Sequence, residues 1–277
     1  MDNEQAQRRQ RVAAVFDRSA DTYDSVGVPW FTPIAQRLVR ELAPATGQRA
    51  LDIGCGRGAA LFALAEGVGP TGVVTGIDLA PAMIAATRAD VEARGLRQVD
   101  LQVMDAAAPD LPAGAYDVVV ASLVIFFLPD PVAALRAWRP LLAAGGQLGI
   151  STFAQRDQRW IDLDELFTPY LPPQLLDART SGTSGPFTSD AGVEKLLTDA
   201  GYTDVRTVCA EVPVRFADTE QWHVWSWSHG QRAMWESVPT EDRAAVTERA
   251  SRLLEGCRNA QGQIVLTQQV RFTTAAG

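Results

Sequence analysis

From residue 49 onward, the chain alternates short apolar runs with amphipathic segments of helical length. We predict strands at 49–53, 72–77, 100–104, 116–122 and 146–152, with helices at 59–66, 81–94 and 131–142. The fourth run, YDVVVAS, is apolar on both faces, which is typical of a strand in a parallel sheet that helices cover on both sides. Two later strands, at 205–216 and 264–273, complete the pattern. The sequence therefore predicts an α/β fold with a doubly wound, mostly parallel, seven-stranded sheet.

The segment LDIGCGRG (51–58) joins the first predicted strand to the first helix of the sheet. Gly54, Gly56 and Gly58 permit positive φ and leave bare backbone against which a ligand can lie. In an open α/β sheet, ligands bind outside the C-terminal ends of the strands, where this turn stands. We therefore predict that the loop 54–58, with Cys55 included, binds a ligand.

Two ligands suit such a loop. Gly54, Gly56 and Ala59 alone satisfy the dinucleotide pattern G-x-G-x-x-G/A. Asp52 favours the other ligand, because a carboxylate two residues before the first glycine would repel a pyrophosphate. S-adenosylmethionine (SAM) carries an ammonium and a sulfonium, which the same carboxylate would attract. A tight turn without a ligand explains one or two of the glycines, and so SAM is favoured over NAD or FAD.

The ends of the next strands carry further candidates for this site. Asp78 ends the second strand, where an acid accepts hydrogen bonds from ribose hydroxyls. Met83 could pack on the adenine, Asp105 could accept the adenine amino group, and Ser122 would face the methyl donor. Each acid could instead cap a helix or turn, and Met83 could fill the core.

The charge of the chain bears on its partners. Its 277 residues have a formal net charge of −8, and the single lysine, Lys195, belongs to no basic run. An acidic chain repels phosphate backbones, which argues against nucleic acid as a partner. No apolar run is long enough to span a bilayer, and the polar N-terminal segment does not resemble a signal peptide.

The three cysteines, Cys55, Cys209 and Cys257, are far apart and form no CxxC or Cys/His pattern. This spacing supports neither a disulfide framework nor a zinc site. A reducing compartment suits such thiols, so we expect a cytoplasmic protein without a bound metal.

Five segments resemble, in order and spacing, the motifs of class I SAM-dependent methyltransferases: LDIGCGRG, GIDLAPAM, VMDAA, YDVVVASLVIFFLPDP and LLAAGGQLGIST. The upstream FDRSADTYD (16–24) is similar to the N-terminal segment of the menaquinone/ubiquinone-biosynthesis C-methyltransferase group, which includes many natural-product methyltransferases. The resemblance covers about residues 12–155 and implies a Rossmann-like fold. Many relatives carry a histidine where Phe126 or Phe127 stands, and its absence here removes a general base.

The resemblance also implies which residues contact SAM. By moiety, these are Asp52, Gly54, Gly56 and the Ser122 backbone for the methionine, Asp78 and Leu79 for the ribose, Met83, Asp105 and Ala106 for the adenine, and Tyr23 as a closing residue.

Four parts of the chain follow from this layout. They are an N-terminal helical lid at 1–44, a SAM-binding α/β core at 45–153, helical cap insertions for the substrate at 154–188 and 217–260, and the remainder of the core at 189–216 and 261–277.

The cap is expected to bind the methyl acceptor. The segment 218–256 holds four of the seven tryptophans, which favours a small apolar or aromatic acceptor. A base is required only if the nucleophile must first lose a proton. The candidates for that base are His223, His229, Tyr170 and Glu165, with a structural role as the alternative for each.

The sequence thus predicts a methyltransferase that transfers a methyl group from SAM by SN2 displacement to a hydrophobic secondary-metabolite or quinone-like molecule. The alternative is a SAM-binding protein of the same fold repurposed for a non-methylating reaction such as cyclisation. The acceptor atom and the state of association, monomer or homodimer, are open at this stage.

Overall fold

The structure is a computed structural model that describes residues 2–171 and 181–277. Part of the first predicted cap insertion, residues 172–180, therefore lies outside the described residues. Within the described ranges, no helix is long and apolar enough to cross a membrane.

Seven strands of the described chain form one sheet with the order β3-β2-β1-β4-β5-β7-β6. They are β1 (Arg49–Ile53), β2 (Val73–Asp78), β3 (Val99–Val103), β4 (Tyr116–Ser122), β5 (Leu142–Arg156), β6 (Thr203–Phe216) and β7 (Ile264–Ala276). Strands β1 to β5 pair in parallel, and β7 runs antiparallel to both β5 and β6. This confirms the predicted mostly parallel sheet. The strand order reverses between β1 and β4, where such sheets bind ligands.

Helices connect the strands and flank the sheet. They are α1 (Asp2–Ser19), α2 (Phe31–Leu42), α3 (Ala59–Val68), α4 (Pro81–Ala93), α5 (Pro131–Trp138), α6 (Gln158–Glu165), α7 (Asp190–Asp199), α8 (Thr219–Trp227), α9 (Arg232–Ser237) and α10 (Thr240–Glu255).

Two predicted helical segments end differently from expectation. The helix predicted at 131–142 ends at Trp138, because Pro140 has no N–H to donate and the chain tightens into a 3-10 turn before β5. The segment 218–256 is divided into α8, α9 and α10, with breaks near Gly230 and Pro239. Strand β5 continues to Arg156 and so includes the first residues of the predicted cap insertion.

Helix α2 holds the N-terminal segment against the sheet. Its apolar residues recur at helical spacing and are buried, and they are Ile34, Ala35, Leu38, Val39 and Leu42. The contact with β5 is close, because a Cβ on Gly149 would lie 2.6 Å from Leu42 Cδ1. This packing brings the residues just before α2 to the C-terminal ends of the strands.

Candidate functional site

The loop between β1 and α3 has the backbone that its glycines predicted. The φ angles of Gly54, Gly56 and Gly58 are 70°, 47° and 82°. A Cβ on Gly54 would lie 2.5 Å from Val124 Cγ2, whereas a Cβ on Gly56 would meet nothing within 4 Å. Gly54 is therefore required for packing, and Gly56 faces open space where a ligand can approach the backbone.

Asp52, at the end of β1, is a buried carboxyl with an unsatisfied oxygen. Its side chain is 1% exposed, and Oδ2 has no hydrogen-bond partner among the described residues. Burial, together with the charge of Asp78, raises the pKa of Asp52 to about 8. A hydrogen bond from the Leu61 backbone opposes this shift. Because a buried carboxylate oxygen without a partner costs free energy, this position calls for a proton or a cation beside Oδ2.

Asp78, at the end of β2, lies on the other side of the glycine loop. Its Oδ2 accepts the Gly56 N–H at 2.8 Å, and its Oδ1 accepts the Ala80 N–H at 2.9 Å. Burial raises the pKa of Asp78, against the opposing effect of N–H bonds from Ala80, Gly56 and Leu79. Because a carboxylate offers about four lone-pair sites, both oxygens keep room for a ligand hydroxyl.

A cavity of about 660 Å³ opens at the glycine loop. Its walls include seven of the residues predicted to contact SAM: Tyr23, Asp52, Gly54, Cys55, Gly56, Gly58 and Ser122. It also has lining residues that we did not predict, among them Phe31, Thr32, Gln36, Arg57, Phe62 and Arg94. The volume is in the range of small-molecule and cofactor sites.

Helix α1 covers the residues predicted to hold the adenine. Arg9 Nη1 donates to Asp105 Oδ2 at 2.6 Å, and Trp138 Nε1 donates to the Ala106 carbonyl at 2.7 Å. Met83 is buried against Ala20 and its neighbours. These three predicted residues do not line the cavity, and neither do the ribose candidates Asp78 and Leu79. The structure therefore brings together Tyr23 and the methionine candidates at the cavity, whereas Asp78 contacts the glycine loop only through the Gly56 N–H.

Asp24 organises the segment between α1 and α2. It has a φ of 52°, and its carboxylate accepts the N–H groups of Trp30, Phe31 and Thr32 at 3.1, 3.3 and 3.0 Å. This carboxylate therefore satisfies the N-terminus of α2. The segment FDRSADTYD contains Asp24, but the sequence carried no signal for this role.

Tyr23 is placed at the cavity by that segment. Its ring stacks on Phe31 with centroids 4.4 Å apart. Burial of the hydroxyl, with the nearby charges of Asp24 and Asp78, raises the pKa of Tyr23 well above its usual value. Tyr23 is thus a neutral hydroxyl near the carboxylates of Asp24 and Asp78.

His229 lies next to the cavity and is fully enclosed. Its Nδ1 accepts the Gln231 N–H at 3.3 Å, while Nε2 has no partner among the described residues. Burial lowers the pKa of His229 to about 3. This histidine is therefore neutral at physiological pH and suited to a role other than general base.

None of the four predicted bases lines the cavity. His223 packs edge-on against Trp235 at 4.9 Å, and burial lowers its pKa. Tyr170 is partly buried in a 3-10 turn, and Glu165 is exposed at the end of α6.

An aromatic cluster lies between the cavity and the cap, and we define it as Trp30, Phe31, Phe126, Phe153, Trp160 and Trp225. Trp30 is its centre, with ring centroids 5.9 Å from Phe153, 6.0 Å from Trp160 and 5.2 Å from Trp225. Phe126 stacks on Phe153 at 5.4 Å. Only the long-range fold unites these rings, so sequence patterns could not have found the cluster.

Comparison with known proteins agrees with this geometry. Residues 50–146 match a family model described as a methyltransferase domain. Aklanonic acid methyltransferase DauC from Streptomyces sp. (strain C5) is 46% identical over 169 residues, which are 61% of this chain and 77% of that protein. Nocamycin O-methyltransferase from Saccharothrix syringae is 37% identical over 270 residues, which are 94% of this chain and 96% of that protein. The chain therefore belongs to the class I SAM-dependent methyltransferases, in the group that includes these two enzymes.

Two solved structures share the fold at low sequence identity. Phosphoethanolamine N-methyltransferase 2 from Haemonchus contortus, solved with S-adenosylhomocysteine, has a TM-score of 0.58 at 16% identity. The match covers 94% of this chain and 57% of that chain. The [4+2]-cyclase SpnF has a TM-score of 0.55 at 20% identity, and the match covers 88% of this chain and 80% of that chain. Within residues 2–171 and 181–277, no group of three His, Cys, Asp or Glu side chains could hold a metal ion.

Proposed function

We propose that this methyltransferase uses SAM to methylate an acidic oxygen on a small natural-product acceptor. The observation that carries the proposal is the buried carboxyl of Asp52, whose Oδ2 has no partner among the described residues, beside the glycine loop of a 660 Å³ cavity. The names of two relatives support the acceptor class, since one acts on aklanonic acid and the other is an O-methyltransferase.

The residues of the site fit SAM better than a dinucleotide. The ammonium of SAM would lie near Asp52, and its ribose hydroxyls would donate to Asp78. The Gly56 N–H, which a pyrophosphate would require, is already donated to Asp78. We propose that Gly54 and Ser122 contact the methionine moiety and that Tyr23 closes the site as part of a lid at 1–44.

SAM supplies an electrophilic methyl group on sulfonium, and the protein aligns the acceptor with it. An oxygen lone pair of the acceptor forms the new O–C bond, and the S–C bond breaks with its electron pair remaining on sulfur. Alignment of this kind can supply roughly 7–11 kcal/mol of the barrier. Because His229 has a pKa of about 3 and its Nδ1 is occupied, the acceptor oxygen should arrive already ionised, as in a carboxylate.

The proposal also covers the setting of the enzyme. The aromatic cluster suits an apolar or aromatic acceptor. The described cysteines, Cys55, Cys209 and Cys257, are free, which is consistent with a cytoplasmic location.

The test is turnover with SAM and a panel of aromatic polyketide carboxylic acids that includes aklanonic acid. We expect a product heavier by one methylene, about 14 Da, together with one equivalent of S-adenosylhomocysteine. Asp52→Asn should lose most of this activity, and Asp110→Asn, at an exposed position, should retain it. Binding of SAM with conversion of the acid but without S-adenosylhomocysteine would favour the repurposed, cyclase-like alternative.

A further inference from the structure

Two ring N–H groups at the aromatic cluster are buried without a partner. Trp30 Nε1 and His229 Nε2 have no hydrogen-bond partner in the part of the chain that the structure describes. Each residue is 7% exposed, and the two ring centroids are 6.0 Å apart. Buried polar groups of this kind are rare in folded proteins, so a pair on neighbouring rings requires an explanation.

Both groups are hydrogen-bond donors. An indole nitrogen can only donate. The Nδ1 of His229 accepts the Gln231 N–H at 3.3 Å, so the neutral ring carries its proton on Nε2. A ligand that satisfies both groups must therefore present an acceptor atom.

The two donors lie one ring away from the cavity. Phe31 lines the cavity, and its ring centroid is 5.0 Å from that of Trp30 and 5.6 Å from that of His229. Phe31 also stacks on Tyr23, next to the proposed methyl donor. A ligand that contacts the donors from the side of Phe31 would therefore enter the same site as SAM.

We propose that the N–H groups of Trp30 and His229 bind one carboxylate oxygen of the methyl acceptor and select acids over neutral analogues. One oxygen that accepts two hydrogen bonds of about 2.9 Å can join two nitrogens that lie up to about 5.8 Å apart. Two rings whose centroids are 6.0 Å apart can place their nitrogens within that distance. The second oxygen stays free to attack the methyl group, and the sulfonium provides the opposite charge. This assignment rests on the proposed function, which it deepens.

The surrounding rings fit the rest of such an acceptor. The ring centroid of Trp225 lies 4.3 Å from that of His229. The rings of Phe153 and Trp160 stack beside Trp30, with centroids 5.9 and 6.0 Å from that of Trp30. These apolar ring faces around the two N–H groups favour an aromatic acid as the ligand.

The test is binding of anthraquinone-2-carboxylate, with 2-methylanthraquinone as the neutral analogue, to the full chain saturated with S-adenosylhomocysteine. Trp30→Phe and His229→Phe remove one donor each and keep a ring. We expect each variant to weaken binding of the acid roughly 10- to 100-fold and to leave binding of the analogue and of S-adenosylhomocysteine unchanged. His229→Gln, which restores a side-chain N–H, should recover part of the affinity for the acid.

Trp222→Phe is the matched control. Its indole N–H is also buried without a partner, but its ring packs against Trp235 in the cap. This variant should bind the acid like the wild type. Equal losses for the acid and the neutral analogue, equal losses in all three Phe variants, or no binding of the acid to the wild type would overturn the proposal. Failure of the proposed function is distinguishable, because it would appear as no binding of S-adenosylhomocysteine or no turnover with SAM.

Discussion

Binding of SAM should release a proton from Asp52. Burial and the charge of Asp78 raise the pKa of this carboxyl to about 8, so it is mostly protonated at neutral pH before SAM binds. A cation next to Oδ2 favours the ionised form and lowers the pKa. The affinity for SAM should therefore increase with pH up to about the free pKa of Asp52.

The size of the effect follows from the charges. Two unit charges about 4 Å apart at an effective dielectric constant of about 20 attract by about 4 kcal/mol, which corresponds to about three pKa units. The pKa of Asp52 would fall to about 5 in the complex. At pH 6.5, binding should then release about 0.9 proton, and SAM should bind roughly 20-fold more tightly at pH 7.0 than at pH 5.5.

Calorimetry at pH 6.5 in buffers with different ionisation enthalpies measures the proton count. Below pH 7 the amino group of SAM is mainly charged, because its pKa is about 8. His229, with a pKa of about 3, does not titrate in this range. Asp52→Asn keeps Asp78 and should release little or no proton, whereas Asp110→Asn should behave like the wild type. Equal proton release by the wild type and Asp52→Asn would refute the reasoning.

Three further variants and one stability measurement test the site. Asp52→Asn should be more stable than the wild type above about pH 4. Because the pKa of Asp52 is raised in the folded state, the free energy of unfolding of the wild type falls as pH rises, by about 1.4 kcal/mol per pH unit up to the folded pKa of about 8. Urea unfolding at pH 5 and pH 8 measures the difference. Gly54→Ala, at a φ of 70°, should lose at least about 1 kcal/mol of stability and most binding of S-adenosylhomocysteine, as thermal-shift titration would show. Asp24→Ala should cost about 1–2 kcal/mol through the loss of a helix cap and raise the dissociation constant for S-adenosylhomocysteine; an unchanged constant would contradict its role. Arg9→Ala should change the free energy of unfolding by less than about 1 kcal/mol, because the pair with Asp105 is exposed.

Most of the predicted residues that line the cavity carry a local sequence signal. Asp52 and the glycines stand within eight consecutive residues, 51–58, and their meaning depends on one strand-to-helix turn. The sheet was predictable for the same reason, because strands buried on both faces have a recognisable composition. The ribose and adenine candidates do not line the cavity. Helix α1 lies over Asp105, with a contact from Arg9, 96 residues away in the chain, and no local pattern reports a contact of this kind.

The residues proposed to bind the acceptor depend more than the glycine loop on contacts between distant parts of the chain. Trp30 precedes α2, Phe153 lies on β5, Trp160 belongs to α6 and His229 follows α8, so no spacing rule connects them. Their shared property, ring faces packed around unpartnered N–H groups, exists only once Trp30, just before α2, packs against Trp225 of α8. Composition could indicate an aromatic pocket, but it could not choose its members.

His229 illustrates how the fold changes the chemistry that a residue type suggests. A histidine near a methyl donor is read from sequence as a base, because its ordinary pKa lies near neutrality. Here burial lowers that pKa to about 3, and the Gln231 N–H occupies Nδ1, so Nε2 can only donate. An acceptor bound at such a donor gains nothing from a protein base at that position. Under the proposed function, the acceptor would bring an oxygen that is already ionised. This requirement would join the buried carboxyl of Asp52, which would attract the cationic donor, to the neutral N–H groups that would hold the acid.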